Sequence, residues 1–275
     1  MIFAAVFLIG LVIGSFLNVC ILRLPHGRSI VTPPSHCPGC KKGIRFYDNI
    51  PVVSFLVLRG RCRNCGEHIS WQYPLVELLN GLLYVWIVQE FWISGEALLL
   101  MALCSSLIVI TFIDFDHQII PDVITLPGML VGLTLAPFFM PALGDPLPFH
   151  LDRVLPQAVP YLTAFFNSLI GLVLGGGPLL AIGWTWEKLR KVEAMGGGDV
   201  KLMGMVGAFL GWKNALLTIM LGALAGSVIG IALIIFTKHK MEKVIPFGPF
   251  LAVGAIAALF YGSDILSWYL GFIRV

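Results

Sequence analysis

Long apolar runs alternate with short polar strips along this chain, and most runs have the length that a bilayer core requires of a helix, about 20 residues. The first extends from Ile2 to Leu22 and is followed at once by Arg23 and Arg28. No positive residue precedes it. A cleaved signal peptide has the reverse charge order, so the run is expected to be a retained span with its N-terminus outside. Further runs follow at residues 75–93 and 97–115, joined by the tight turn Ser94-Gly95-Glu96. Others lie at 123–140, 161–184, 215–236 and 244–272.

One apolar piece is short. Residues 200–212 cannot cross a bilayer on their own length, yet if they did not cross, the next run would carry Lys238, Lys240 and Lys243 to the outside. Positive residues prefer the inner side, so this piece is expected to cross, counted from Met195 and with Asp199 at or within the membrane boundary. Eight spans result, with both termini outside. Fifteen of the eighteen Lys and Arg then fall inside, against Arg153, Lys213 and Arg274 outside.

Composition agrees. With 58% hydrophobic and 12% charged residues and a mean hydropathy of +0.91, the chain departs from soluble domains, where about a quarter of residues are charged. The expected fold is an all-α polytopic membrane protein embedded in a lipid bilayer. No basic patch interleaved with aromatics suggests a nucleic-acid partner. Glycines four residues apart (Gly171/Gly175, Gly207/Gly211, Gly222/Gly226/Gly230) are expected to mark close helix packing in lipid.

The strip between the first two spans is polar, Pro-rich and basic, and so is assigned to the cytoplasm. It carries Cys37-Pro38-Gly39-Cys40 and Cys62-Arg63-Asn64-Cys65. Paired C-x-x-C knuckles suit a tetrahedral four-thiolate zinc site with no open position, hence a structural metal. Disulfides are the alternative, disfavoured in a reducing compartment. Cys20 and Cys104 fall in apolar runs and are expected in the core. Three divisions follow: residues 1–22 as the first span, 23–74 as a cytoplasmic zinc-binding domain built on the four cysteines, and 75–275 as a seven-helix membrane domain.

Acids at the inner ends of spans are few: Glu77, Asp114, Asp116, Asp122 and Asp199. Asp114 ends a span that comes inward and Asp199 opens one that goes outward, so both carboxylates are expected at one depth on one face. Asp116 and Asp122 lie further into the connection, solvated or capping the next helix. Two carboxylates held close in a poorly solvated site cannot both ionise and so share one proton. The ionised member can accept a proton from an attacking water while the protonated member donates to a peptide carbonyl, which is aspartic proteolysis. Gly196, Gly197 and Gly198, lacking Cβ atoms, would let a substrate backbone approach Asp199. Lys201 is expected to reach the surface past its helix.

These residues sit in an ordered set that resembles the bacterial type IV prepilin peptidases, the bifunctional members of the GxGD aspartic protease group. The set comprises Gly14-Ser15-Phe16-Leu17-Asn18-Val19, Arg23-Leu24-Pro25, both knuckles, Asn49-Ile50-Pro51 with Ser54, and Tyr73-Pro74-Leu75-Val76-Glu77. It continues with Ile113-Asp114 through Ile120-Pro121-Asp122, Gly196-Gly197-Gly198-Asp199-Val200-Lys201 and Pro246-Phe247-Gly248-Pro249-Phe250. Gln72 stands where the family pattern carries a basic residue.

The resemblance implies cleavage of the leader from type IV prepilins or type II secretion pseudopilins at the cytoplasmic face of the bacterial inner membrane, with Asp114 and Asp199 catalytic. It further implies methylation of the new N-terminal residue from S-adenosylmethionine. No Gly-rich strand-turn-helix cofactor fingerprint appears in the sequence, so no methyl-donor residues are assigned. A proton-coupled transporter with an Asp114/Asp199 relay is the alternative, although a relay favours acids near the midplane. A zinc-dependent anchor without catalysis would leave the aspartate pair unexplained.

Overall fold

The computed structural model describes residues 1–140, 160–191, 196–236 and 245–273. Arg153, Glu193, Lys238, Lys240, Lys243 and Arg274, which contribute to the expected orientation, lie outside them. Among the described residues there are nine α-helices and no strand: α1 Ile2–Arg23, α2 Val53–Val57, α3 Gln72–Phe91, α4 Gly95–His117, α5 Asp122–Thr134, α6 Ala136–Phe139, α7 Pro160–Arg190, α8 Gly197–Phe236 and α9 Gly248–Ile273. Helix is the only open secondary structure that satisfies every backbone group within one segment in lipid. Five of these helices, α1, α4, α7, α8 and α9, are long and apolar enough to cross a membrane. Helix α5 is too short by itself, and α3 carries Gln72, Glu77, Asn80, Gln89 and Glu90 along its twenty residues.

Packing divides the chain into two compact units, Met1–Ile113 and Asp114–Val275, with the boundary inside α4. In the first, α1 and α3 run antiparallel and nearly touch. A Cβ on Gly10 would lie 2.7 Å from Gly81 Cα, and one on Gly14 would lie 2.6 Å from Glu77 Cα. Polar side chains caught in this seam are satisfied locally. Asn18 donates to the Tyr73 carbonyl at 3.1 Å, Asn80 donates to the Gly10 carbonyl at 2.8 Å, and Ser105 donates to Asn80 Oδ1 at 2.9 Å. Cys20 and Cys104 are buried, as expected of core residues.

In the second unit α7 packs on α8, and α8 is two helices. Gly211 has φ 75° and ψ 174°, outside helical space and in a region where Gly alone is unstrained. The chain folds back there. Met203 and Ala215 both border the same face of Gly175, although twelve residues of straight helix would place them about 18 Å apart. Residues 197–210 and 212–236 therefore run in opposite directions, the geometry expected of two spans. Ser168 of α7 donates to the carbonyls of Gly132 at 3.1 Å and Ala208 at 2.6 Å, tying α5, α7 and α8 together.

At the tightest crossing, a Cβ on Gly171 or on Gly207 would fall inside the other residue's carbonyl. Gly207→Ala is therefore expected to cost about 1–3 kcal/mol or more through overpacking and to lower the melting temperature of the solubilised protein. Melting unchanged from wild type would contradict so close a crossing. Gly222 and Gly226 lie against Leu251 and Phe250 of α9, whereas a Cβ on Gly230 would have no neighbour within 4 Å among the described residues. The expected packing role thus holds for the first two of that series.

Candidate active site and metal centre

Four helix ends of the second unit bear on one place: the end of α4 with Asp114 and the starts of α5, α8 and α9. Asp114 is 5% exposed. Its Oδ2 accepts the backbone N–H of Gly248, the first residue of α9, at 3.0 Å. Asp199, in the first turn of α8, is half-buried, and its carboxylate interacts electrostatically with that of Asp114. Two acids 85 positions apart in the chain thus come within reach of one another.

Ile120 holds the arrangement. A Cβ added to Gly198 would meet Ile120 Cβ at 2.8 Å; one added to Gly248 would meet Asp114 Oδ2 at 2.6 Å and Ile120 Cδ1 at 3.4 Å. The glycines before Asp199 accordingly differ in circumstance. Among the described residues, a Cβ on Gly197 would have no neighbour within 4 Å and one on Gly196 would meet only the Gly198 amide nitrogen at 4.0 Å, whereas Gly198 is packed against Ile120. The backbone is therefore uncrowded at Gly196 and Gly197 and packed at Gly198, among the described residues.

Of the remaining acids, Asp116 is exposed. Asp122 takes the first position of α5 without a side-chain cap, and both its oxygens receive Lys201 Nζ, at 2.7 and 2.8 Å. Lys201 does extend toward the surface, but it ends on a carboxylate, linking the start of α8 to the start of α5. Both partners are substantially exposed, so the pair contributes only about 0.2–1 kcal/mol. A cleft of about 310 Å³, lined by Ala223, Gly226, Ser227, Ile245, Phe247 and Phe250, opens beside the residue preceding Gly248.

The first unit holds a different centre. Cys37, Cys40, Cys62 and Cys65 place their sulfurs within 4.8 Å of one another. The two knuckles repeat one backbone pattern. Lys41 N–H donates to Cys37 O and Cys37 N–H to Lys42 O; Gly66 N–H donates to Cys62 O and Cys62 N–H to Glu67 O. The fourth residue after the first cysteine has positive φ in both, 58° at Lys41 and 76° at Gly66.

Cys37 and Cys65 sulfurs are 3.7 Å apart. This is too far for a disulfide and close to the roughly 3.8 Å edge of a tetrahedron with 2.3 Å metal–sulfur bonds. All six cysteines are free. The N–H groups of Cys65 and Asn64 hold the Cys62 thiol down to about 7. Cys65 accepts the Glu67 N–H, yet burial and the neighbouring sulfurs push it up to about 12. Four sulfurs this close cannot all deprotonate without a cation between them. The cluster fits a metal ion.

Two acids outside the expected site organise the loop around it. Asp48 accepts Arg63 Nε and Nη2 at 3.0 and 2.7 Å, and Arg63 holds its carboxyl below the usual range. Glu77, buried in α3, accepts the N–H of Val52 at 2.7 Å. Val52 has φ 61°, rare for a β-branched residue. Sequence reasoning identifies Glu77 only as an inner-face acid, because nothing along the chain indicates that it will meet an amide 25 positions away. The Gly248 amide on Asp114 and the Ile120 wedge are likewise tertiary features.

A helical, multi-pass membrane protein with paired acids at one set of helix ends and a four-cysteine centre is the class that fold and site define. Comparison with known proteins narrows it. The Bacterial Peptidase A24 N-terminal domain matches residues 8–91, and the Type IV leader peptidase family matches residues 101–231. The prepilin leader peptidase/N-methyltransferase of Aeromonas salmonicida strain A449 is 36% identical over 98% of this chain and 94% of its own length. Its namesake in Aeromonas hydrophila is 37% identical over 98% and 93%, and that in Pseudomonas aeruginosa is 34% identical over 96% and 92%. No solved structure matches. The chain belongs to the type IV leader peptidase family.

Proposed function

We propose that this protein is a membrane-embedded aspartic endopeptidase that removes the leader from type IV prepilins or type II secretion pseudopilins, and that it then methylates the new N-terminal residue. The single observation that carries the peptidase reading is the convergence of Asp114 and Asp199 at one set of helix ends. Family membership and the printed activities of relatives aligned over nearly the whole chain support it. The transporter alternative finds no support in these relatives.

One carboxylate takes a proton from water as the oxygen attacks the scissile carbonyl; the other donates its proton to the carbonyl oxygen. Gly196 and Gly197 leave room for an extended substrate backbone beside Asp199. The cleft beside Phe247 offers an apolar seat near the carboxylates, suited to the Phe that commonly follows the cleaved bond in the family. Eight spans, with the carboxylates on the cytoplasmic face of the inner membrane, complete the topology we propose.

The four cysteines would hold zinc as a structural ion, with every coordination position taken by a thiolate. S-adenosylmethionine is the methyl donor of this reading. The described residues contain no strand-turn-helix cradle for it, and no step is assigned to particular residues. Incubating the purified protein with a prepilin and S-adenosylmethionine, with product masses read out, tests both halves. The expected product is the mature pilin heavier by one methyl group. An intact prepilin overturns the peptidase reading, and an unmethylated product overturns the methyltransferase reading.

A further inference from the structure

Resting on the peptidase reading, the geometry points to a division of labour: Gly248 is a positioning residue that keeps Asp114 as the ionised base, and Asp199 is the proton-bearing acid. A dyad that shares one proton must place it somewhere, and the two carboxylates are not equivalent here. Asp114 Oδ2 accepts the N–H of Gly248. That amide is one of the unpaired donors that open the 26-residue helix α9, at the end where a helix dipole favours negative charge. A hydrogen bond to a charged oxygen favours the charged form. Among the described hydrogen bonds none reaches the Asp199 carboxylate. The proton belongs on Asp199.

The fit also accounts for glycine at 248. A Cβ there would lie 2.6 Å from Asp114 Oδ2, while Ile120 Cδ1 at 3.4 Å is ordinary contact. The two atoms that a Cβ meets most closely, Asp114 Oδ2 at 2.6 Å and Cγ at 3.2 Å, both belong to the carboxyl group, so alanine here presses on the carboxylate and displaces it from the amide.

Among the described residues, the other charged and titratable groups at the helix ends around Asp114 are these. Asp199 on α8 interacts with it directly; Asp116 and His117 follow it on α4, and Asp116 is exposed; Asp122 of α5 and Lys201 of α8 engage each other; the first turn of α9 carries no acid.

In hydrolysis, Asp114 takes a proton from water as its oxygen bonds to the carbonyl carbon, and Asp199 gives its proton to the carbonyl oxygen, leaving a gem-diol. Asp114 then returns its proton to the leaving nitrogen as the C–N bond breaks. Asp199 recovers a proton from a gem-diol hydroxyl, so the dyad ends as it began.

The test is Gly248→Ala, with kcat/KM for leader cleavage measured across pH. Displacing the carboxylate from the amide makes Asp114 easier to protonate. If Asp114 is the base, the acidic limb of the profile moves up by about one to two pH units. If Asp114 is instead the acid, the alkaline limb moves and the assignment is overturned; it is equally overturned if neither limb moves. Gly248→Ala in an Asp114→Ala background should melt like Asp114→Ala alone, and unfolding in both backgrounds would refute the steric premise. Wild-type cleavage is measured first, because its absence would sink the peptidase reading and not this one.

Discussion

Asp114→Asn and Asp199→Asn are each expected to reduce leader cleavage by roughly 10⁴-fold while leaving the protein folded and membrane-inserted. Asn has nearly the shape of Asp but can neither accept a proton from water nor supply one as a carboxylic acid. At position 114 its side-chain oxygen can still receive the Gly248 N–H, so the packing of this residue against the start of α9 is retained. Position 199 is half-buried, and among the described hydrogen bonds none reaches its carboxylate. The loss should therefore appear in kcat, with little change in melting temperature. Near-wild-type cleavage by either variant would remove that residue from the proposed dyad.

Reduced, purified protein is expected to carry one tetrahedral metal ion, and Cys62→Ser to lose it. In peptides that fold around structural zinc, the ion contributes about 10–16 kcal/mol, far more than any single hydrogen bond in this loop. Without it, the loop is left with individually weak contacts, among them the short backbone bonds of the knuckles, the Asp48–Arg63 pair and the Val52–Glu77 bond. Metal analysis should read about one equivalent in wild type and none in the variant, with proteolysis of the cysteine loop rising in parallel. Finding no metal in the reduced wild-type protein would overturn the site. A disulfide arrangement would instead appear as thiols that resist alkylation until reduced.

Much of the site is legible along the chain, for reasons of local chemistry. Each C-x-x-C puts two ligands on one turn, so the knuckles identify themselves, and their repeated backbone pattern is a property of the short segments. Asp114 and Asp199 stand out because acids at the ends of apolar runs are rare and costly, and counting spans leads to the expectation that they share one depth. The short run after Asp199 is recognisable from length and charge, and the reversal at Gly211 is the backbone feature that ends it. The partners of these groups are not legible in the same way. Lys201 looks like a residue reaching for the surface, yet it meets Asp122, 79 positions away.

Hydrophobic run length determined by itself that this chain is a helical membrane protein, because helix is what lipid permits an open segment. Cysteine spacing and the placement of acids likewise located both centres. Only the tertiary structure decided which glycines face open space and which are packed, that α1 meets α3 at Gly10 and Gly14, and that Asp114, not Asp199, receives an amide. The difference is physical. Solvent preference and ligand spacing are properties of residues and short segments, whereas a hydrogen bond across 134 positions exists only once separate helices have packed.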